Sequence, residues 1–436
     1  MIGKKHSPLL ETQDQSRWYT RLYYTRLYSC RRRTYTTISV AILLLGLYRY
    51  AFTMCANDTR AAPDMGLSKY RDSIFLPYVK GFSSDEIPMV QTNVEGVEIE
   101  MPVDTGSTGL LIGAPLLKHI DSKEGTPTYH YLTSSTILYV GRLVDLTITF
   151  YGQSGDRATA RAPVLVVDEK YKCPWYDPKR DADRCKPGPR GEIAERLDTS
   201  KIMYMGVGFG RNGIGSGQPN ATPERNPFLN VVSINGAAVS PDSLRTGYTI
   251  STRGVHVGLT SENTRGFVYA QLEHGVTYEK DPRDWAMVRA NLSIDGEGGS
   301  WGYGLVDTGI RQMYIRAEDG VVIPTISIPN PDPKGIAAFV DRVKPGTRIG
   351  IDFLTSHARP PVGYRFVVGE KASPVEPYFV KKGKKTPPPF VNTGRNLLYG
   401  YDIAFDAAGG RFGFRAVDGC DGAGCWTGSL VHCELA

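Results

Sequence analysis

Met101-Pro102-Val103-Asp104-Thr105-Gly106-Ser107-Thr108-Gly109-Leu110-Leu111 is the stretch on which the reading of this chain turns. Apolar residues run into an Asp-Thr-Gly triplet, and apolar residues leave it. A second copy, Gly304-Leu305-Val306-Asp307-Thr308-Gly309-Ile310, has the same build. A carboxylate at the end of a buried strand is costly unless something uses it. Two such carboxylates, one in each half of the chain, predict a shared site assembled by two similar lobes.

The rest of the sequence is compatible with that arrangement. A chain of 436 residues is long enough for two lobes with cores of their own. Its 48 Gly, 29 Pro and 25 Tyr favour short strands joined by tight turns, and few windows show helical periodicity. The expected fold class is therefore all-β. The net charge of +6 is concentrated at one end. Residues 1–37 hold eight Lys or Arg against Glu11 and Asp14, which accounts for the whole excess. The body is formally neutral and carries no electrostatic footprint for nucleic acid.

After that basic arm comes an apolar run, Ile38 to Tyr48, interrupted by Arg49 and continued weakly to Ala56. Residues 38–56 read as a signal anchor if Arg49 snorkels, or as a cleaved signal peptide; a buried helix of the body is the third reading. The basic side stays in the cytosol, so the body is expected beyond the membrane, as a single-pass type II protein or a secreted one. Acceptor triplets for glycans begin at Asn57, Asn220 and Asn291. Cys173 and Cys185 flank a polar loop as a disulfide would, and Cys420, Cys425 and Cys433 crowd the C-terminus. A zinc site from Cys420, Cys425, His432 and Cys433 is the rival to disulfides there, but its spacing lacks the usual C-x-x-C pair, so no metal is expected.

Along the body, residues 57–84 read as a linker, 85–245 as an N-terminal β-lobe, 246–416 as a C-terminal β-lobe, and 417–436 as a Cys-rich tail. Val94 to Met101 alternates as one half-buried strand leading to Asp104. Ile137 to Phe150 reads as two strand segments kinked near Gly141. Met203-Tyr204-Met205-Gly206-Val207-Gly208-Phe209-Gly210 suits backbone packed closely on backbone. Asp406 to Gly410 reads as a hairpin turn.

With Val103-Asp104-Thr105-Gly106-Ser107, Met205-Gly206-Val207-Gly208, Val306-Asp307-Thr308-Gly309 and Arg411-Phe412-Gly413-Phe414 in that order, the chain resembles the pepsin-like aspartic proteases over about residues 85–416. One Asp-Thr-Gly arises by chance in roughly one such chain in ten; two, each after an apolar strand, are specific. The resemblance implies a bilobal fold with pseudo-twofold related lobes, a cleft for a polypeptide substrate, a monomer, no cofactor and no metal. It implies that Asp104 and Asp307 form the catalytic dyad, sharing one proton because two close carboxylates do not both ionise. It further implies that Thr105 and Thr308 cross the lobe interface, with Gly106, Ser107 and Gly309 as support.

The sequence departs from that family in four places. Ile310 stands where a Ser or Thr is usual, which predicts a missing hydrogen bond on Asp307, a raised pKa and a less acidic optimum. The flap tyrosine has no clear counterpart; Ser134, Ser135 and Tyr139 are the candidates. Residues 57–85 are short for an inhibitory propeptide. The glycine of the second lobe's inner loop is Gly394, in the polar triplet Asn392-Thr393-Gly394. A pepsin-like binding module with lost or weak catalysis is the alternative reading, and a surface adhesion or structural protein the third.

Overall fold

Among the described residues nearly all the regular structure is strand, and the helical pieces are short 3-10 segments such as Ala114–Leu116 and Arg395–Tyr399. This computed structural model describes residues 66–132, 135–177, 179–213, 218, 220–330, 338–354, 362–370, 380–382, 389–417 and 425–426. The basic arm, the apolar run 38–56, Asn57, Ser134, Cys55, Cys420, His432 and Cys433 lie outside the described residues. Among the described residues no helix is long and apolar enough to cross a membrane.

The first Asp-Thr-Gly is carried by a ten-stranded sheet. Met89–Val94 turns into Val97–Pro102 through Glu95 and Gly96, both at positive φ (48° and 88°), as a two-residue hairpin turn requires. That turn divides the single strand expected over residues 94–101. Alternation alone missed it because Val94 and Ile99 are buried on either side. Thr108–Gly113 leaves the triplet with all six residues buried, between Arg157–Lys172 (parallel) and Met203–Val207 (antiparallel). A strand covered on both faces needs a continuous apolar run, which Leu110-Leu111-Ile112 supplies. Ile137–Tyr151 is one strand whose register slips between Val140 and Gly141. A Cβ on Gly141 would meet the Val166 carbonyl oxygen at 2.0 Å, so the bulge needs glycine.

The second triplet is carried by an eight-stranded sheet. Val288–Ile294 alternates buried and half-buried residues and pairs with Glu297–Leu305, which runs into Asp307. Phe390–Asn392 lies parallel to that strand and antiparallel to Met313–Arg316.

A six-stranded sheet takes strands from both halves of the chain, in the order Ile74–Pro77, Gly254–Leu259, Arg245–Ile250, Tyr401–Asp406, Arg411–Ala416, Val268–Gln271. Ile74–Pro77 falls inside the expected linker. It is too short to show a pattern, and its partner lies far along the chain at Gly254–Leu259. Aromatic rings connect this sheet to the first one: Phe150–Phe228 at 5.2 Å, Phe228–Tyr248 at 5.5 Å, Tyr248–Phe405 at 5.7 Å, then Phe405 stacked on Phe209 at 4.0 Å. The expected hairpin between Tyr401–Asp406 and Arg411–Ala416 is present.

Cys173 and Cys185 are bonded, with Cα atoms 6.0 Å apart. The side-chain nitrogen of Asn220, the atom a glycan takes, is engaged with Thr128 Oγ1 (3.1 Å) and the Tyr129 carbonyl (3.4 Å). That of Asn291 donates to the Gly299 carbonyl at 2.9 Å.

Asp406 is fully buried at the end of its strand, where Arg245 grips both its oxygens (2.8 and 2.9 Å) and the Gly409 N–H donates to Oδ1 at 3.1 Å. Removing one partner strands the other charge. Asp406→Ala should lower the unfolding free energy by about 3–5 kcal/mol in urea titration. A loss under about 1 kcal/mol would show that the pair is not holding the shared sheet together.

Candidate active site

Both triplets follow strands whose last residues are buried, so their backbone directions are fixed before the loops begin. The loops then meet. Thr105 N donates to Thr308 Oγ1 and Thr308 N to Thr105 Oγ1, each at 3.0 Å. The hydroxyls donate onward, Thr105 Oγ1 to the Val306 carbonyl (2.6 Å) and Thr308 Oγ1 to the Val103 carbonyl (2.5 Å). Each threonine thus reaches through to the strand end of the other half.

That exchange brings the carboxylates against the opposite loops. A Cβ on Gly106 would sit 2.3 Å from Asp307 Cγ, and one on Gly309 would sit 2.2 Å from Asp104 Oδ1. Glycine is required at both positions because the opposite carboxylate occupies the space. Asp104 and Asp307 are buried and within hydrogen-bond reach of each other. Burial first, and then the charge of Asp104, push the Asp307 carboxyl up to about 7.

Within its own half each carboxylate is held by its loop and by one more strand. Asp104 Oδ1 accepts from Gly106 N (2.7 Å), and Oδ2 accepts from Ser107 Oγ (2.7 Å) and from the Tyr204 hydroxyl. Ser107 Oγ and the Tyr204 hydroxyl also lie 2.8 Å apart. Burial and the neighbouring Asp104 keep the Tyr204 phenol protonated, well above its usual range. Asp307 Oδ1 accepts from Gly309 N (2.9 Å), and Oδ2 accepts from Asn392 Nδ2 (2.7 Å).

The Asn392 contact corrects the expectation drawn from Ile310. Asp307 does not lack the donor that Ile310 was expected to cost it, because the Asn392 amide from the neighbouring strand supplies one to Oδ2. The predicted direction of the pKa survives for another reason: Asn392 lowers it, and burial and Asp104 outweigh that. Gly394 fills the structural role expected of it. It lies at φ 64°, and a Cβ there would press on the Arg311 and Gln312 carbonyl oxygens at 2.9 Å.

Two arginines stand close by. Arg395 donates to the Thr308 and Gly309 carbonyls (both 3.0 Å) and to the Ser84 carbonyl (2.9 Å), which fixes the second loop from behind. Arg211 places Nη1 at 3.6 Å from Met287 Sδ; burial lowers its pKa, and the charges of Asp307 and Asp104 oppose that.

The flap candidates fare differently. Thr126–Leu132 and Ile137–Tyr151 form a hairpin. Ser135 turns its hydroxyl back to the Leu132 carbonyl at 3.5 Å, and its own carbonyl accepts from Lys172 Nζ at 2.6 Å. Tyr139 is core: it packs with Leu111, Leu132, Leu165, Val167 and Ile202, and burial pushes it up to about 12. Tyr204 rests against that same cluster. Sequence reasoning passed over Tyr204 and Asn392 as functional residues. The available signal was in each case a polar group two positions before an inner-loop glycine, Gly206 or Gly394.

Among the described residues no group of three or more His, Cys, Asp or Glu side chains could hold a metal ion. No protein-family model matches the chain, and no curated protein matches its sequence.

Because the Asp307 pKa is raised on folding, its contribution to stability is full below about pH 4 and is lost as pH rises towards 7. Asp307→Asn, which cannot ionise, should therefore be more thermostable than the parent chain at pH 7–8. The gain should shrink to nothing near pH 3–4. A pH-independent difference in Tm would contradict the buried pair.

Proposed function

We propose that the chain is an aspartic endopeptidase with a bilobal pepsin-like fold, its two lobes built on the two triplet-bearing sheets and its cleft accepting an extended polypeptide. The observation that carries this reading is the pair of buried carboxylates from opposite halves of the chain, each pressed against the other's glycine. Two carboxylates in contact share a proton at the pH where one is ionised. In the proposed reaction a water between them gives a proton to the ionised carboxylate as its oxygen bonds to the peptide carbonyl carbon. The carbonyl oxygen takes the proton of the other carboxyl. The resulting gem-diol collapses as the amide nitrogen is protonated and the C–N bond breaks. No covalent intermediate is required.

The departures from the family do not weaken this reading. Ile310 is compensated by Asn392. The chemistry needs the dyad and the water, whereas a flap tyrosine serves substrate closure. The apolar run 38–56 behind a basic arm supports delivery of the body across a membrane, with the protein anchored or released there.

Cleavage of an unfolded protein substrate between pH 3 and 8 tests the proposal. Activity should be blocked by pepstatin, and Asp104→Asn and Asp307→Asn should each reduce kcat/KM by on the order of 10²–10⁴-fold. Activity should fall as pH rises past about 7, where Asp307 loses its proton. Full activity in both variants would remove the dyad from the mechanism. A folded chain that binds peptides but never cleaves them would favour the binding module.

A further inference from the structure

Tyr204 and Asn392 hold equivalent places in the two halves. Tyr204 pairs in register with Leu111, and Asn392 with Tyr314; each partner stands seven residues beyond its aspartate. Each lies two residues before a glycine that packs against the triplet loop, and each donates to the Oδ2 of its own aspartate. The construction is the same, but the donor sets differ. Among the described residues Asp104 receives three donors, from Gly106 N, Ser107 Oγ and the Tyr204 hydroxyl. Among the same residues Asp307 receives two, from Gly309 N and Asn392 Nδ2, because Ile310 brings no hydroxyl. The orientation of the Asn392 amide is fixed by its own oxygen, which accepts from Gly394 N at 3.0 Å, so its NH₂ end faces the carboxylate.

Hydrogen bonds to a carboxylate favour its ionised form, and the carboxylate with more of them keeps the charge. We infer that Tyr204 and Asn392 are positioning residues that divide the dyad unequally, leaving Asp104 ionised as the base towards water and Asp307 protonated as the acid towards the carbonyl oxygen. This rests on the endopeptidase reading for its catalytic meaning, although the placement of charge does not. In the first step Asp104 gains the water proton and Asp307 surrenders its own to the carbonyl oxygen. In the second, Asp104 gives that proton to the departing nitrogen, and the gem-diol hydroxyl returns one to Asp307. Both carboxyls end as they began.

The test begins with a readout that needs no activity. Carboxyl ¹³C NMR of aspartate-labelled protein, assigned through Asp104→Asn and Asp307→Asn, reads which carboxyl holds the proton. In the parent chain at pH 5–6 the proton should sit on Asp307 and not on Asp104. Tyr204→Phe, which removes one O–H donor and little volume, should move part of that proton onto Asp104. Asn392→Leu should raise the Asp307 midpoint by about one to two pH units. In cleavage assays the same variants should move opposite limbs of the kcat profile, Tyr204→Phe the acid limb and Asn392→Leu the alkaline one, with KM unchanged. Ile310→Thr in the Asn392→Leu background restores a hydroxyl at the position that Ser107 holds in the other half, and should bring the alkaline limb back.

A purely structural role predicts lower activity at every pH with both limbs in place, and that result would overturn the inference. So would a proton found on Asp104 in the parent chain. If the proton moves as stated but no peptide is cleaved, the charge assignment stands and the endopeptidase reading fails.

Discussion

Two threonines reaching past each other set the geometry of this molecule. Thr105 and Thr308 are buried, and each satisfies a backbone N–H of the opposite loop and a carbonyl of the opposite strand end. Buried amides and carbonyls need partners. Here the partners belong to the other half of the chain, so neither loop is complete without its counterpart. The carboxylates follow from this, since a loop clamped at its threonine has its aspartate and glycine already placed. Coulomb repulsion and desolvation oppose bringing two aspartates together. The four hydrogen bonds beside them, and the aromatic and ion-paired sheet beneath, keep them there against that opposition.

The surroundings of the pair are less symmetrical than its framework. Backbone construction repeats closely between the halves: apolar strand, triplet, second strand, inner-loop glycine. The side chains that touch the outer carboxylate oxygens do not repeat. One half uses a serine and a tyrosine, the other a single amide. A shared framework makes the carboxylates meet, and unequal donors allow them to differ. In the proposed reaction two identical groups act in opposite senses, and an environment that separates them beforehand would serve that need.

The arginines belong to the same scheme. Arg395 holds the carbonyl side of the second loop and ties it to the segment at Ser84, well outside the sheet that carries the loop. Arg211 places a buried positive charge within the field of both carboxylates. Without such compensation, a burial that lifts Asp307 to about 7 would lift it further.

The all-β character and the two triplets could be read from the sequence, because each is a local consequence of residue type. Apolar runs make buried strands, whereas what crowds Gly106 and Gly309 is the carboxylate of the opposite half, which only the tertiary structure brings there. The hairpin at Asp406 and the bridge between Cys173 and Cys185 were legible for the same reason. Tertiary structure decided everything that depends on which strands become neighbours. It made a strand of Ile74–Pro77, whose partner is remote in the chain, and it turned Tyr139 into core. It also supplied from Asn392 the donor that Ile310 withholds. In sequence Asn392 lies 85 residues from Asp307, and nothing local records that a parallel strand pairing carries its amide to that oxygen.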